Sequence, residues 1–359
     1  MDDLLVAADF GSPLAMYMLG EVFFWGNHGL DIDLATAMGW WRKAAEAGLP
    51  MAMDQLGSML ARLEGGNDWF TDESLRWWRL AAEKGFPASM CKLGMSYFHG
   101  EGQPMDKAMA IDWWQKAASQ GSAPAMHQLG LAYADGSGVR RDIGKALGWF
   151  RKAARRGYDE AMMSLAAASL NGEGAPKNRS MAIRWWRRAA KLNNPKAWYY
   201  LGESYLKGTS VIDPHKAVGC WIKALAEGET KAKDSLRESF LAQFVTKEIE
   251  KFRQKAENGD AFAQRAMGTM TLHGIACQPN PSEAVNWWKK AAGNGDVIAM
   301  TSLGLAYHKG LSGPKGRNVT KNFKLSAQWL IKANKCGYIP AAIMLSRLNT
   351  EIINNEDKN

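Results

Sequence analysis

Cysteine is scarce: only Cys91, Cys220, Cys277 and Cys336 stand in 359 residues. None pairs as CxxC, so the four thiols form neither a disulfide framework nor a zinc site and read as small apolar fillers in a reducing compartment. Histidine is nearly as rare, with six residues. None lies in HExxH or beside supporting carboxylates, so no metal ligand set is expected. The chain also lacks the GxxxxGK[ST] loop that cradles phosphate and the GxSxG turn that presents a nucleophilic serine. The sequence therefore names no catalytic residue, no cofactor and no metal, and an enzyme is not expected. Apolar runs are short and broken by charge, below the ~20 residues of a membrane-spanning helix. The chain opens Met1-Asp2-Asp3, acidic where a secretory leader is basic, which points to the cytoplasm; the periplasm is the alternative if a leader has been removed. Acidic side chains are outnumbered, 36 against 45 Lys and Arg, for a formal charge of +9. That balance favours acidic partners without choosing their class.

What is present is repetition. The pattern Trp-Trp-x-Lys/Arg-Ala-Ala-x-x-Gly closes at Gly48, Gly85, Gly121 (as DWWQKAASQG) and Gly157 (as GWFRKAARRG). It returns with Asn193 in the glycine place and closes again at Gly228, Gly259, Gly295 and Gly337. Successive closing residues lie 37, 36, 36, 36, 35, 31, 36 and 42 apart, the spacing of stacked supersecondary units. About eight residues after each closing position comes Leu-Gly, with Ala four before the Leu, as in Ala15 with Leu19-Gly20 and Ala125 with Leu129-Gly130. Ala, Leu and a following aromatic at i, i+4 and i+8 share one helix face, which gives a first helix per unit. The glycine after the Leu costs about 1 kcal/mol of helix propensity, so close approach of two backbones is expected there. A second helix starts near residues such as Asp106, Asp142 or Asp213-Pro214, as N-caps and first-turn residues do. It ends at the closing Gly, which suits a left-handed cap.

The pattern resembles the Sel-one-like repeat family, relatives of tetratricopeptide repeats, along almost the whole chain. The resemblance implies an all-α, right-handed superhelical solenoid of antiparallel helix pairs, with adaptor or scaffold roles in protein complexes. The expected organisation is one continuous solenoid. An N-terminal array of about six units fills 1–228. A degenerate repeat or hinge, 229–259, lacks Leu-Gly and both Trp. The remainder, 260–359, holds further repeats, a capping helix from Ile339 to about Ile353 and a polar tail.

The conspicuous residues sort by register. Trp41, Trp78, Trp114, Trp186, Trp221 and Trp288 share a position that elsewhere accepts Phe150, Phe252 or Leu330, as a core filler does. The neighbouring column, Trp40 to Trp329, points about 100° away and is expected to pack between units. The methionines three before the landmark Leu (Met16, Met53, Met90, Met126, Met162, Met300) read as packing too. The basic run from Arg140 to Lys191 reads as a solvated face.

The resemblance implies that first helices line a concave groove, where binding residues are those that vary while the framework repeats. By register these are Tyr17, Glu21, Trp25, Asp54, Arg62, Met95, His99, His127, Leu131, Met163, Tyr199, Glu203, Lys207, Arg265, Thr301 and Leu305. Their mixed chemistry suits a protein partner, with an acidic surface or as a secreted toxin, and makes nucleic acid a poor fit. A monomer acting as a scaffold or adaptor is the leading expectation. A bacterial immunity protein that neutralises a secreted toxin, which the resemblance also allows, and a cell-wall-associated protein or enzyme are the alternatives.

Overall fold

The computed structural model describes residues 1–27, 30, 32–63, 70–206, 212–238, 241–338, 340–345 and 348. The expected polar tail, the start and end of the capping helix and Lys207 lie outside them. The described chain is helical, with no β-strand and one isolated antiparallel bridge between Leu311 and Val319. It divides into two compact units, Met1–Ala182 and Ile183–Asn359.

The first unit holds α1 (Asp2–Asp9), α2 (Pro13–Trp25), α3 (Leu34–Glu46), α4 (Pro50–Leu63), α5 (Asp72–Glu83), α6 (Pro87–His99), α7 (Lys107–Ser119), α8 (Ala123–Asp135), α9 (Ile143–Arg155) and α10 (Asp159–Asn171). The start of α11 (Arg179–Ala190) also falls in it. The second unit continues with α12 (Pro195–Leu206), α13 (Pro214–Ala226), α14 (Lys231–Leu236), α15 (Ala242–Glu257), α16 (Ala261–His273), α17 (Pro281–Gly293), α18 (Val297–Lys309) and α19 (Phe323–Lys335). We call α2, α4, α6, α8, α10, α12, α16 and α18 the A helices. Their successors α3, α5, α7, α9, α11, α13, α17 and α19 are the B helices. Within each unit the helices pack on their chain neighbours, as short connections between antiparallel helices require.

Local chemistry sets each boundary. The B helices are N-capped by carboxylate or amide side chains, and α5 by the Thr71 hydroxyl: Asp106 accepts from Met109 N–H at 2.9 Å and Asp142 from Lys145 N–H at 2.9 Å, satisfying donors the helix itself cannot. The closing residue is left-handed as its sequence place predicts, from Gly48 at φ 92° to Asn193 at φ 61°.

The core is the Trp41 column. Trp41, Trp114 and Trp221 are fully buried, and Trp78, Trp186, Trp288, Phe150 and Leu330 nearly so. The landmark glycine makes room first for this ring, and at Gly57 and Gly268 also for a carbonyl of the facing B helix, 3.0 Å from an added Cβ. A Cβ on Gly20 would stand 2.3 Å from the Trp41 indole, and one on Gly94 would stand 2.4 Å from that of Trp114. The same holds for Gly130 against Phe150, Gly202 against Trp221 and Gly268 against Trp288. Three of these indoles donate their N–H to a carbonyl of the facing A helix, Trp78 to Asp54 O at 3.4 Å, Trp114 to Cys91 O at 3.1 Å and Trp221 to Tyr199 O at 3.2 Å, whereas those of Trp41 and Trp288 are buried without a partner among the described residues. The methionine register is packing as expected, with Met53, Met90, Met126, Met162 and Met300 buried.

The second Trp column is mostly half-buried and carries a cation on its ring. Lys43 lies 4.2 Å over Trp40, Lys116 4.4 Å over Trp113, Lys152 4.0 Å over Trp149, Lys290 4.4 Å over Trp287 and Lys332 4.6 Å over Trp329. Each pair is i, i+3 on one helix, so the repeated Trp-x-x-Lys is a cation–π staple that covers one face of the ring.

Residues 230–260 break this plan. α14 has 6 residues, against 12 to 14 in the A helices. It ends at Leu236, the landmark position, so the second half of an A helix is missing among the described residues. With that half absent, α13 packs on α16 as well as on α14 and α15. Leu236, Leu241, Val245, Ile249 and Phe252 join α13 and α16 in one core.

Candidate protein-binding face

The described candidate residues all come from the A helices, but their register decides whether they face neighbours or solvent. Two before the landmark Leu, side chains point into the stack. Asp54 on α4 accepts Lys92 Nζ–H at 2.8 Å on both oxygens and Ser89 Oγ–H at 2.6 Å, both from α6. Lys92 also reaches Ser58 Oγ at 2.6 Å. On α2, Glu21 accepts the Trp25 indole N–H at 3.1 Å. Tyr17 has its phenol pushed up to about 12, by burial first and then by Glu21 and Asp54. Tyr17, Glu21, Trp25, Asp54, Arg62 and Met95 are thus brought together across α2, α4 and α6, all half-buried. Arg62 and Met95 line a cleft of about 220 Å³ with Phe70, Trp78 and Lys92.

Three candidates are structural, a correction to their reading as partner contacts. His127 is buried, with Nε2 2.9 Å from Ser164 Oγ, which itself donates to Glu160 O at 3.1 Å. Burial pulls this imidazole down to about 4, against a smaller upward pull from Asp159. Thr301 is buried and donates to Val297 O at 2.9 Å. Arg265 is 4% exposed. Its guanidinium donates to Asp296 at 2.9 Å, to Glu227 at 2.8 Å and to Ala226 O. Burial alone would lower its pKa, but Asp296 and Glu227 outweigh that and raise it. The reasons differ: His127 meets Ser164 of the next A helix, Arg265 ties the end of α13 to the N-cap of α18, and Thr301 closes back on its own helix.

The other candidates stay accessible. Leu131, Met163 and Glu203 are half-buried and His99 is exposed. Tyr199 is half-buried and meets Tyr200 edge-on at 5.5 Å. Leu305 lines a second cleft, about 310 Å³, against α13, α16 and α18. Sequence reasoning missed the position just before the landmark Leu. There Met18 is 44% and Tyr200 40% exposed, and Lys92, Gln55 and Gln128 are half-buried. The signal was available: this position varies as much as its neighbour, and it carries polar residues beside a buried one. Among the described residues no cluster of His, Cys, Asp and Glu could hold a metal ion, and no helix is long and apolar enough to cross a membrane.

No curated protein matches the chain significantly. Similar solved structures include a protective antigen of uropathogenic Escherichia coli, c5321, described as displaying an SLR fold, at 26% identity over 98% of this chain and 83% of that one, TM-score 0.46. A Sel1 repeat protein from Oxalobacter formigenes shares 29% identity over 82% and 76%, TM-score 0.49. The immunity protein Pa5087 from Pseudomonas aeruginosa shares 20% over 53% and 72%, TM-score 0.37. The Sel1 repeat pattern matches residues 13–49, 50–86, 87–122, 123–158, 159–194, 195–229, 261–296 and 297–338, passing over the segment that holds α14 and α15. The chain therefore belongs to the Sel1 repeat family.

Proposed function

We propose that this protein is a non-enzymatic scaffold or adaptor that engages a partner protein through the face of its A helices. One observation carries the reading. The framework positions repeat almost unchanged and are consumed by packing, whereas the A-helix positions before and after the landmark pair present unlike, unburied side chains such as Met18, Arg62, Tyr200 and Leu305. Two of these open into clefts of about 220 and 310 Å³ with mixed apolar and basic lining. Large amphipathic side chains held by a rigid frame are the anchors protein interfaces use. Charge then selects among partners, and +9 favours an acidic one.

The test begins with affinity capture from the native host and identification of the bound protein by mass spectrometry. The purified pair is then measured with Met18→Ala, Arg62→Ala and Tyr200→Ala together. Loss of binding with an unchanged melting temperature supports the A-helix face; unchanged binding overturns it. A secreted toxin as the partner is a narrower form of the same reading, and rescue of toxin-expressing cells by this chain is its test.

A further inference from the structure

The truncated repeat leaves an opening on the A-helix side of the second unit. α14 stops at Leu236, so among the described residues no second half of an A helix stands beside Thr269–His273 of α16. The cleft of about 310 Å³ lies against that half-helix. Its walls are Leu225 from α13, Leu272 from α16, and Ile298 and Leu305 from α18, with Leu311 beyond. The floor is apolar, and the charges around it are one paired carboxylate and a set of cations. Glu227, a lining carboxylate, is already held by Arg265 at 2.8 Å. Lys309 is exposed at the edge. Lys233 and Arg237 of the α14 segment stand close enough to His273 to push its proton off further than burial alone does, and Arg237 donates to the His273 carbonyl.

We propose that this cleft, made by the broken repeat, is the anchor pocket for a partner-protein segment that inserts one large apolar side chain and places carboxylates beside Lys309, Lys233 and Arg237. The proposal rests on the protein-binding reading above and adds the site and the chemistry of its occupant. An apolar anchor fills a water-excluding pocket of this size, and flanking carboxylates set its orientation.

The experiment is fluorescence anisotropy of the full chain with short synthetic peptides carrying a single Leu, Phe or Met flanked by Glu. Matched peptides carry Lys for Glu or Ala for the anchor. Saturable binding is expected for at least one acidic peptide, weakened about tenfold or more by either replacement, a difference of about 1.4 kcal/mol. Ser302→Trp, which fills the cleft, and Lys309→Glu, an exposed change that leaves the core alone, should each weaken it similarly. Equal binding of Glu and Lys peptides, unchanged binding by Lys309→Glu, or no binding at millimolar peptide overturns the proposal. The two readings separate cleanly. A natural partner that still binds Ser302→Trp and Lys309→Glu but is lost from the Met18, Arg62, Tyr200 variant sinks the cleft alone.

Discussion

Gly94 shows how one residue type can be dictated by one ring. The indole of Trp114 occupies the space a side chain would take, 2.4 Å from an added Cβ. Gly94→Ala should therefore overpack the core and cost about 1–3 kcal/mol, seen as a lowered urea midpoint. Gly148, in the middle of α9 and half-buried, has nothing within 4 Å of an added Cβ. Gly148→Ala should stabilise by up to about 1 kcal/mol through helix propensity. Equal effects of the two changes would refute the packing account. His127 makes a pH-dependent contribution with a defined sign. Its folded value, about 4, lies below the 6.5 of an unperturbed imidazole, so the unfolded chain binds the proton more readily. The stability is present above pH ~6.5 and lost as pH falls from there towards 4, by up to about 3 kcal/mol. In thermal melts the native protein should lose more stability between pH 7.5 and pH 5 than His127→Gln does. Matching losses would show that another group titrates.

Each helix pair is built from the same few devices, and the exceptions identify which are under strain. Three loops after an A helix carry two left-handed glycines: Gly100 and Gly102, Gly136 and Gly138, Gly172 and Gly174. The second sits beneath the preceding B helix, where a Cβ on Gly102 would meet Leu75 at 2.3 Å and one on Gly138 would meet the Lys107 carbonyl at 2.8 Å. The loop after α16 places Ala276 there at φ 56°. A non-glycine residue in this region costs about 1–2 kcal/mol, partly offset by the extra freedom glycine has when unfolded. Ala276→Gly should thus raise the melting temperature, by a net of up to about 1 kcal/mol; a lowered one would mean that the methyl group packs usefully. These devices were legible beforehand: closing glycines, Asp caps and the Trp columns all follow from helix period and backbone sterics, which act within a few residues. The loss of Leu-Gly in 230–260 was legible too. The six-residue α14 and the cleft beside it were not, because they depend on what α16 and α18 place around the gap.

For the molecule as a whole, an excess of nine positive charges is only partly spoken for. Several lysines are committed to tryptophan rings, while Arg140, Arg141, Arg151, Arg155, Arg156, Arg184, Arg187 and Arg188 remain exposed. If the partner is acidic, raising salt from about 0.05 to 0.5 M should slow association more than it speeds dissociation. A salt-independent association rate would remove charge steering from the account. The sequence by itself determined the helical repeat, its period, the division between framework and variable positions, and the irregular segment. All of these arise from local periodicity and residue-by-residue backbone preference. Only the tertiary structure decided which variable positions are free to bind. Whether a side chain such as Arg265 or Tyr200 meets a neighbouring helix or solvent depends on how successive A helices stack, and two adjacent positions in the same repeat can have opposite fates.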